Sequence, residues 1–183
     1  MDGNIPTPKE SSEWLNLNSF TARMTSEGLI DGSILGFWVI RFALEEENAA
    51  GTITNSNISV ASEWIIRSGI QLYSEVLHAG PLDACQARTT MGGSLYDGEV
   101  GFCRERWEFW KLRLSMVNTG DVDEDVAKMA QQAVRTMGET EKAMGKRDMV
   151  SFTSRASSSL EQRSPRTDLK QKENKGMEKG EIR

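Results

Sequence analysis

Histidine occurs once in the 183 residues, at His78; cysteine occurs twice, at Cys85 and Cys103, and proline four times. A single imidazole argues against a multi-histidine metal site, and nothing near it fixes the geometry of a Ser-His-Asp triad or a Cys-His pair. Two cysteines in a chain this long do not make a disulfide framework and read as reduced thiols. No stretch approaches the roughly 18 apolar residues of a membrane span, since the longest, residues 34–44, is interrupted by Gly36 and Arg41. The opening Met1-Asp2-Gly3-Asn4 lacks the basic and apolar segments of a secretory leader. The expectation is a cytoplasmic or nuclear protein, not secreted and not embedded in a membrane.

Positive charge is scarce over most of the chain. From Lys146 onward there are 10 Lys/Arg and 6 Asp/Glu, a net of +4, which leaves 12 Lys/Arg and 21 Asp/Glu, a net of −9, for residues 1–145. An acidic body is not expected to bind nucleic acid. After Gly145 apolar residues thin out: residues 151–164 are serine-rich, and residues 167–183 are mostly Lys, Glu, Gln, Asn and Gly. Such a segment cannot bury enough surface to offset its chain entropy, so residues 146–183 are expected to form a disordered polar tail. Ser164-Pro165-Arg166 within it has the form of a proline-directed phosphorylation site.

What the chain does have is helical periodicity. In residues 102–117, Cys103, Trp107, Trp110, Leu114 and Val117 recur at helical spacing and form one face, aromatic enough to demand burial. Arg104, Arg106, Lys111 and Arg113 interleave there with Glu105 and Glu108, a pattern that favours surface and inter-helix ion pairs. Val60, Trp64, Ile65, Ser68, Leu72 and Val76 mark a second face, with Gly69 expected at a close helix–helix approach. Trp14, Leu17, Phe20 or Thr21, and Met24 give a first helix that Gly28 closes, and Ile34, Phe37, Trp38, Arg41 and Phe42 a wide apolar stripe on the next. Val122, Val126, Met129, Ala133 and Met137 define the last, running to about Met144.

The fold class is therefore all-α: about five helices in a compact bundle-like domain at 13–145, after a flexible lead-in at 1–12 and before the disordered C-terminal tail. Glu45, Glu46 and Glu47 sit at a helix end that the dipole disfavours for acids, so they are expected to face solvent or a basic partner, a solvated helix end being favoured over a cation site. Residues 78–101 hold His78, Asp83, Cys85 and the glycine-rich Met91-Gly92-Gly93-Ser94 without a helical period, and long irregular connections are often functional. The glycine run lacks the P-loop lysine pattern and reads as a plain turn.

Four segments, Trp14-Leu-Asn-Leu-Asn-Ser-Phe-Thr-Ala-Arg23, Phe37-Trp-Val-Ile-Arg-Phe-Ala-Leu-Glu45, Ala61-Ser-Glu-Trp-Ile-Ile-Arg-Ser-Gly-Ile-Gln-Leu-Tyr73 and Arg106-Trp-Glu-Phe-Trp-Lys-Leu-Arg113, together resemble the fungal family catalogued as Domain of Unknown Function 3632. The resemblance covers about Trp14 to Met144. It implies an all-helical intracellular protein with no catalytic residues to carry over, and an accessory role beside specialised-metabolite enzymes. No catalytic residue, cofactor or metal is expected. The favoured function is a non-catalytic accessory or protein-interaction protein; the alternative is a small-molecule binder or enzyme with a pocket between the helices and the 79–101 loop. Arg41, Arg67, Tyr73, Asp97 and Arg106 are the polar candidates for that pocket. The partner, protein or small molecule, and the oligomeric state stay open.

Overall fold

A computed structural model describes residues 7–47, 55–120 and 122–161, the stretch 147–161 in its backbone only. Ser164-Pro165-Arg166 and the rest of the tail beyond Glu161, the lead-in before Thr7, and most of the polar connector after Glu47 lie outside the described residues. The described residues are all helical: α1 (Pro8–Ser26), α2 (Ser33–Leu44), α3 (Asn55–Leu77), α4 (Ala84–Thr89), α5 (Arg104–Ser115) and α6 (Glu124–Glu161), with no strand. The chain divides into two units, Met1–Arg147 and Asp148–Arg183. The core belongs to the first, and the second carries the end of α6.

Local chemistry sets the helix ends. Thr7 opens α1 with a capping box: its hydroxyl accepts from the Glu10 amide at 3.3 Å, while the Glu10 carboxylate accepts from the Thr7 amide at 2.7 Å. Pro8 occupies the first helical position, where a missing N–H costs nothing. The helix therefore starts at Pro8, inside the segment expected to be a loose lead-in. Gly28 closes α1 with φ 68°, a left-handed conformation that favours glycine, and the Leu29 amide donates back to the Met24 carbonyl at 2.9 Å. Asp83 caps α4 in the same way as Thr7, with Gln86 completing the box. A short helix thus interrupts the stretch 78–101, raising the helix count from about five to six. At the other end, Asn55 and Asp123 exchange two hydrogen bonds, of 2.6 and 2.9 Å, and tie the start of α3 to the start of α6.

The core gathers around α3, whose expected face is buried in full from Val60 to Val76. Ser68 departs from helical geometry (φ −117°, ψ 18°) and donates its hydroxyl to the Ala22 carbonyl at 2.7 Å, so α3 kinks where it meets α1. Next to it, Gly69 faces Thr136 and Thr140 of α6. From α5, Trp107, Trp110 and Leu114 are buried as their spacing predicts, and Val117 follows them in. Val126, Ala130, Ala133, Met137 and Met144 of α6 join the same cluster. Gly145 does not end this helix, whose backbone continues to Glu161.

Candidate apolar binding groove

The first helix is mounted with its apolar face outward. Asn18, Ala22 and Thr25 are the residues it buries. The Trp64 indole donates to Asn18 Oδ1 at 2.8 Å, Gln71 donates to the Ser26 carbonyl at 2.8 Å, and Ser19 donates to Glu63 at 2.6 Å. Arg67 pairs with that same Glu63 and donates to Ser19 Oγ at 3.1 Å. A polar seam thus holds α1 on α3. Trp14, Leu17 and Phe20 are left 46%, 58% and 60% exposed.

Only part of the expected stripe on α2 is buried. Phe37 faces the core with Ile40 and Leu44, while Leu35, Trp38 and Phe42 stay 43%, 41% and 59% exposed. The outward faces of α1 and α2 form the two walls of a groove of about 520 Å³, with Val60 and Trp64 of α3 as its floor. Gly36 makes the floor possible: a Cβ there would lie 2.6 Å from Trp64 Cε3. Among the described residues, none that lines it is charged. Of the polar groups in it, Asn18 also donates to the Trp14 carbonyl at 2.9 Å and Thr21 donates to the Leu17 carbonyl at 2.9 Å. Both are engaged within the protein, so recognition here rests on shape and apolar contact.

None of the five polar candidates lines this groove. Arg67 belongs to the α1–α3 seam. Tyr73 is buried with its ring 5.0 Å from that of Trp107, and Asp97 is exposed on the loop after α4. The other two do converge, on backbone. Arg41 donates to the carbonyls of Met91 at 2.7 Å and Gly92 at 3.2 Å, and Arg106 donates to those of Thr90 and Gly101, both at 2.8 Å. Together they pin the 90–101 segment.

Opposite Arg106 sits Glu45, and both are fully buried. Arg106 Nε lies 2.9 Å from Glu45 Oε1 as a charge contact, and Nη2 donates to Oε2 at 3.3 Å. The Trp110 indole adds a 2.6 Å bond to Oε1 and the Gly93 amide a 3.0 Å bond to Oε2. The guanidinium lies between the rings of Phe37 and Tyr96, at 4.9 and 4.5 Å. Burial, together with the contact to Cys103, holds the Tyr96 phenol above its ordinary pKa. Of the two settings foreseen for the acids after α2, solvent or a basic partner, Glu45 takes the second. Glu46 pairs with Arg41 at 2.8 Å.

The glycine run that outwardly suggests a phosphate cradle is filled from within. The Gly93 and Ser94 amides donate to Glu45 and Glu46, the latter at 3.3 Å. Of the remaining candidates of the loop, His78 and Asp83 are also engaged within the protein. His78 Nδ1 lies 2.8 Å from the Ser74 carbonyl, and the Asp83 carboxylate accepts from the Cys85 and Gln86 amides. Cys85 is exposed, and Cys103 caps α5, its sulfur accepting from the Arg106 amide at 3.4 Å. A polar depression of about 560 Å³ runs past His78, Gln86, Glu99 and Arg104. Among the described residues, no three His, Cys, Asp or Glu side chains gather as a metal-binding set, and no helix is long and apolar enough to cross a membrane.

A family described as "Protein of unknown function (DUF3632)" matches residues 2–114, more than half of the chain, and the chain belongs to that family. The match takes in every residue of the groove and both partners of the Glu45–Arg106 pair, and it stops before α6. No curated protein and no solved structure matches the chain.

Proposed function

We propose that this DUF3632 protein is a non-catalytic interaction protein whose working surface is the groove between α1 and α2. The observation that carries the proposal is the orientation of α1, which turns Trp14, Leu17 and Phe20 to solvent and fills its inner face with Asn18, Ala22 and Thr25. A contiguous exposed apolar surface in a water-soluble fold is the ordinary mark of a docking site. With Asn18 and Thr21 engaged internally, the groove suits the apolar face of a protein partner, entered at helical or ridge-like spacing. The resemblance to a fungal family supports the setting, an accessory role in a specialised-metabolite pathway.

A second reading, a small-molecule binder, draws support from the groove volume of about 520 Å³, which is within the ordinary range for ligand pockets. That cavity lies between α1, α2 and α3 and leaves out the 79–101 loop.

Deleting the gene in its host and profiling metabolites tests the proposal. Leu17→Glu should fail to restore the wild-type profile at normal protein level, whereas His78→Ala and Cys85→Ala should restore it. Failure of a folded, abundant His78→Ala or Cys85→Ala protein would defeat the non-catalytic reading and direct attention to the depression beside His78.

A further inference from the structure

We infer that the groove face is a two-fold interface and that its occupant is a second copy of this chain; the inference rests on the groove being a docking surface. Area is the first support. Four aromatic side chains (Trp14, Phe20, Trp38, Phe42) and two leucines (Leu17, Leu35) are 41–60% exposed, and all but Phe20 line the groove. At roughly 200 Å² for each aromatic and somewhat less for leucine, they leave on the order of 550 Å² of apolar surface bare. A stable dimer buries about 800 Å² per partner, of which about 65% is apolar in homodimers, or roughly 520 Å². The bare surface is therefore the size of the apolar half of such an interface.

Charge is the second support. The chain carries a net −5, so two copies repel each other overall. A two-fold axis brings each residue near it against its own duplicate, which an ionised side chain tolerates poorly. Among the described residues, none that lines the groove is charged. Shape is the third. Leu17 on the α1 wall of the groove is 58% exposed and Phe20, three positions on, 60%, so projecting side chains of α1 accompany the recess between α1 and α2. A closed two-fold contact needs that self-complementary arrangement.

The test uses the full chain. Sedimentation equilibrium from about 1 to 100 µM, the range that brackets weak interfaces of this size, should give twice the 20.4 kDa chain mass at the upper end. Leu17→Glu and Leu17→Lys, checked for folding by circular dichroism, should each sediment as the single chain. Their equimolar mixture should associate at least tenfold more tightly than either alone, because opposite charges then meet across the axis. Phe42→Glu provides the same disruption from α2 should the Leu17 variants misfold.

A wild-type chain that stays single at about 100 µM, or Leu17 variants that still dimerise, would overturn the inference. A single chain that binds an apolar dye such as Nile red in the groove would also overturn it, in favour of a small apolar ligand. If the wild-type chain is single but Leu17→Glu still fails in the host, the docking surface stands with a different partner and the second copy is refuted. If the wild-type chain dimerises but Leu17→Glu rescues fully, the dimer stands and the proposed function falls.

Discussion

Removing one member of the Glu45–Arg106 pair should be among the most damaging changes available to this protein. Arg106→Met keeps the length of the aliphatic stem and deletes the guanidinium. It leaves the Glu45 carboxylate fully buried with only the Trp110 indole and the Gly93 amide as donors. It also strips the Gly101 carbonyl of its 2.8 Å donor, while the Thr90 carbonyl keeps the Gly101 amide at 3.2 Å. An uncompensated buried charge costs about 3–5 kcal/mol. An orphaned buried carbonyl costs about 1–3 kcal/mol, partly relieved where water can reach it. We expect a loss of about 4 kcal/mol for Arg106→Met and about 3 kcal/mol for Glu45→Gln, against a total stability on the order of 10 kcal/mol. The double variant leaves no buried charge, so it should be more stable than the sum of the singles by at least about 2 kcal/mol. Urea unfolding followed by tryptophan fluorescence measures all three. Additivity within about 0.5 kcal/mol, or a loss below about 1 kcal/mol for Arg106→Met, would refute the reasoning.

Trp110→Ala should cost about 3–5 kcal/mol, whereas Glu108→Ala, at a side chain 63% exposed, should cost less than about 0.5 kcal/mol; equal urea midpoints would contradict the assigned faces of α5. Gly36→Ala should destabilise by about 1–3 kcal/mol, because the new methyl meets the Trp64 ring, and a neutral melting temperature would show that the ring yields. Burial lowers the pKa of Lys111, but the bond and charge of Glu141, helped by Glu108, outweigh it and leave it raised. A raised lysine stabilises the fold below its unfolded value, about 10.4, and loses that contribution as pH climbs through the folded value. Alkaline unfolding titrations should therefore show wild type losing more stability above about pH 10 than Lys111→Met, and parallel curves would dismiss the Lys111–Glu141 contact.

Periodicity revealed which residues share a face but not which face turns inward. On α3 and α5 the two questions have one answer, because each has a single apolar face. On α1 they differ. Asn18 and Ser19 find partners on α3 in Trp64, Glu63 and Arg67, and that seam outcompetes the burial of Leu17 and Phe20. The sequence signal for the groove was an excess, Trp14, Leu17 and Phe20 on one helix and Leu35, Trp38 and Phe42 on the next. Two capping boxes were legible as well, Thr7 with Glu10 and Asp83 with Gln86, and would have placed the start of α1 and all of α4. Arg106 was one of several charges expected in surface and inter-helix ion pairs, and its local neighbours Glu105 and Glu108 gave no sign of which pair it makes. Its partner lies 61 positions away, beyond the reach of any local pattern.

That separation has a consequence for the timing of folding. The segment between α4 and α5 has little regular structure, yet Glu45 accepts the Gly93 amide through its carboxylate and the Leu95 amide, at 2.7 Å, through its carbonyl. Closing a loop of that span costs entropy before any contact rewards it, so the segment locks only once α2 and α5 are already side by side. Opening it in the native state must break the Gly93 and Leu95 bonds to Glu45 and the buried bonds of Arg106 to the Thr90 and Gly101 carbonyls. The Gly93 and Leu95 amides should therefore exchange with deuterium at rates set by the core helices, orders of magnitude slower than a surface loop of the same composition.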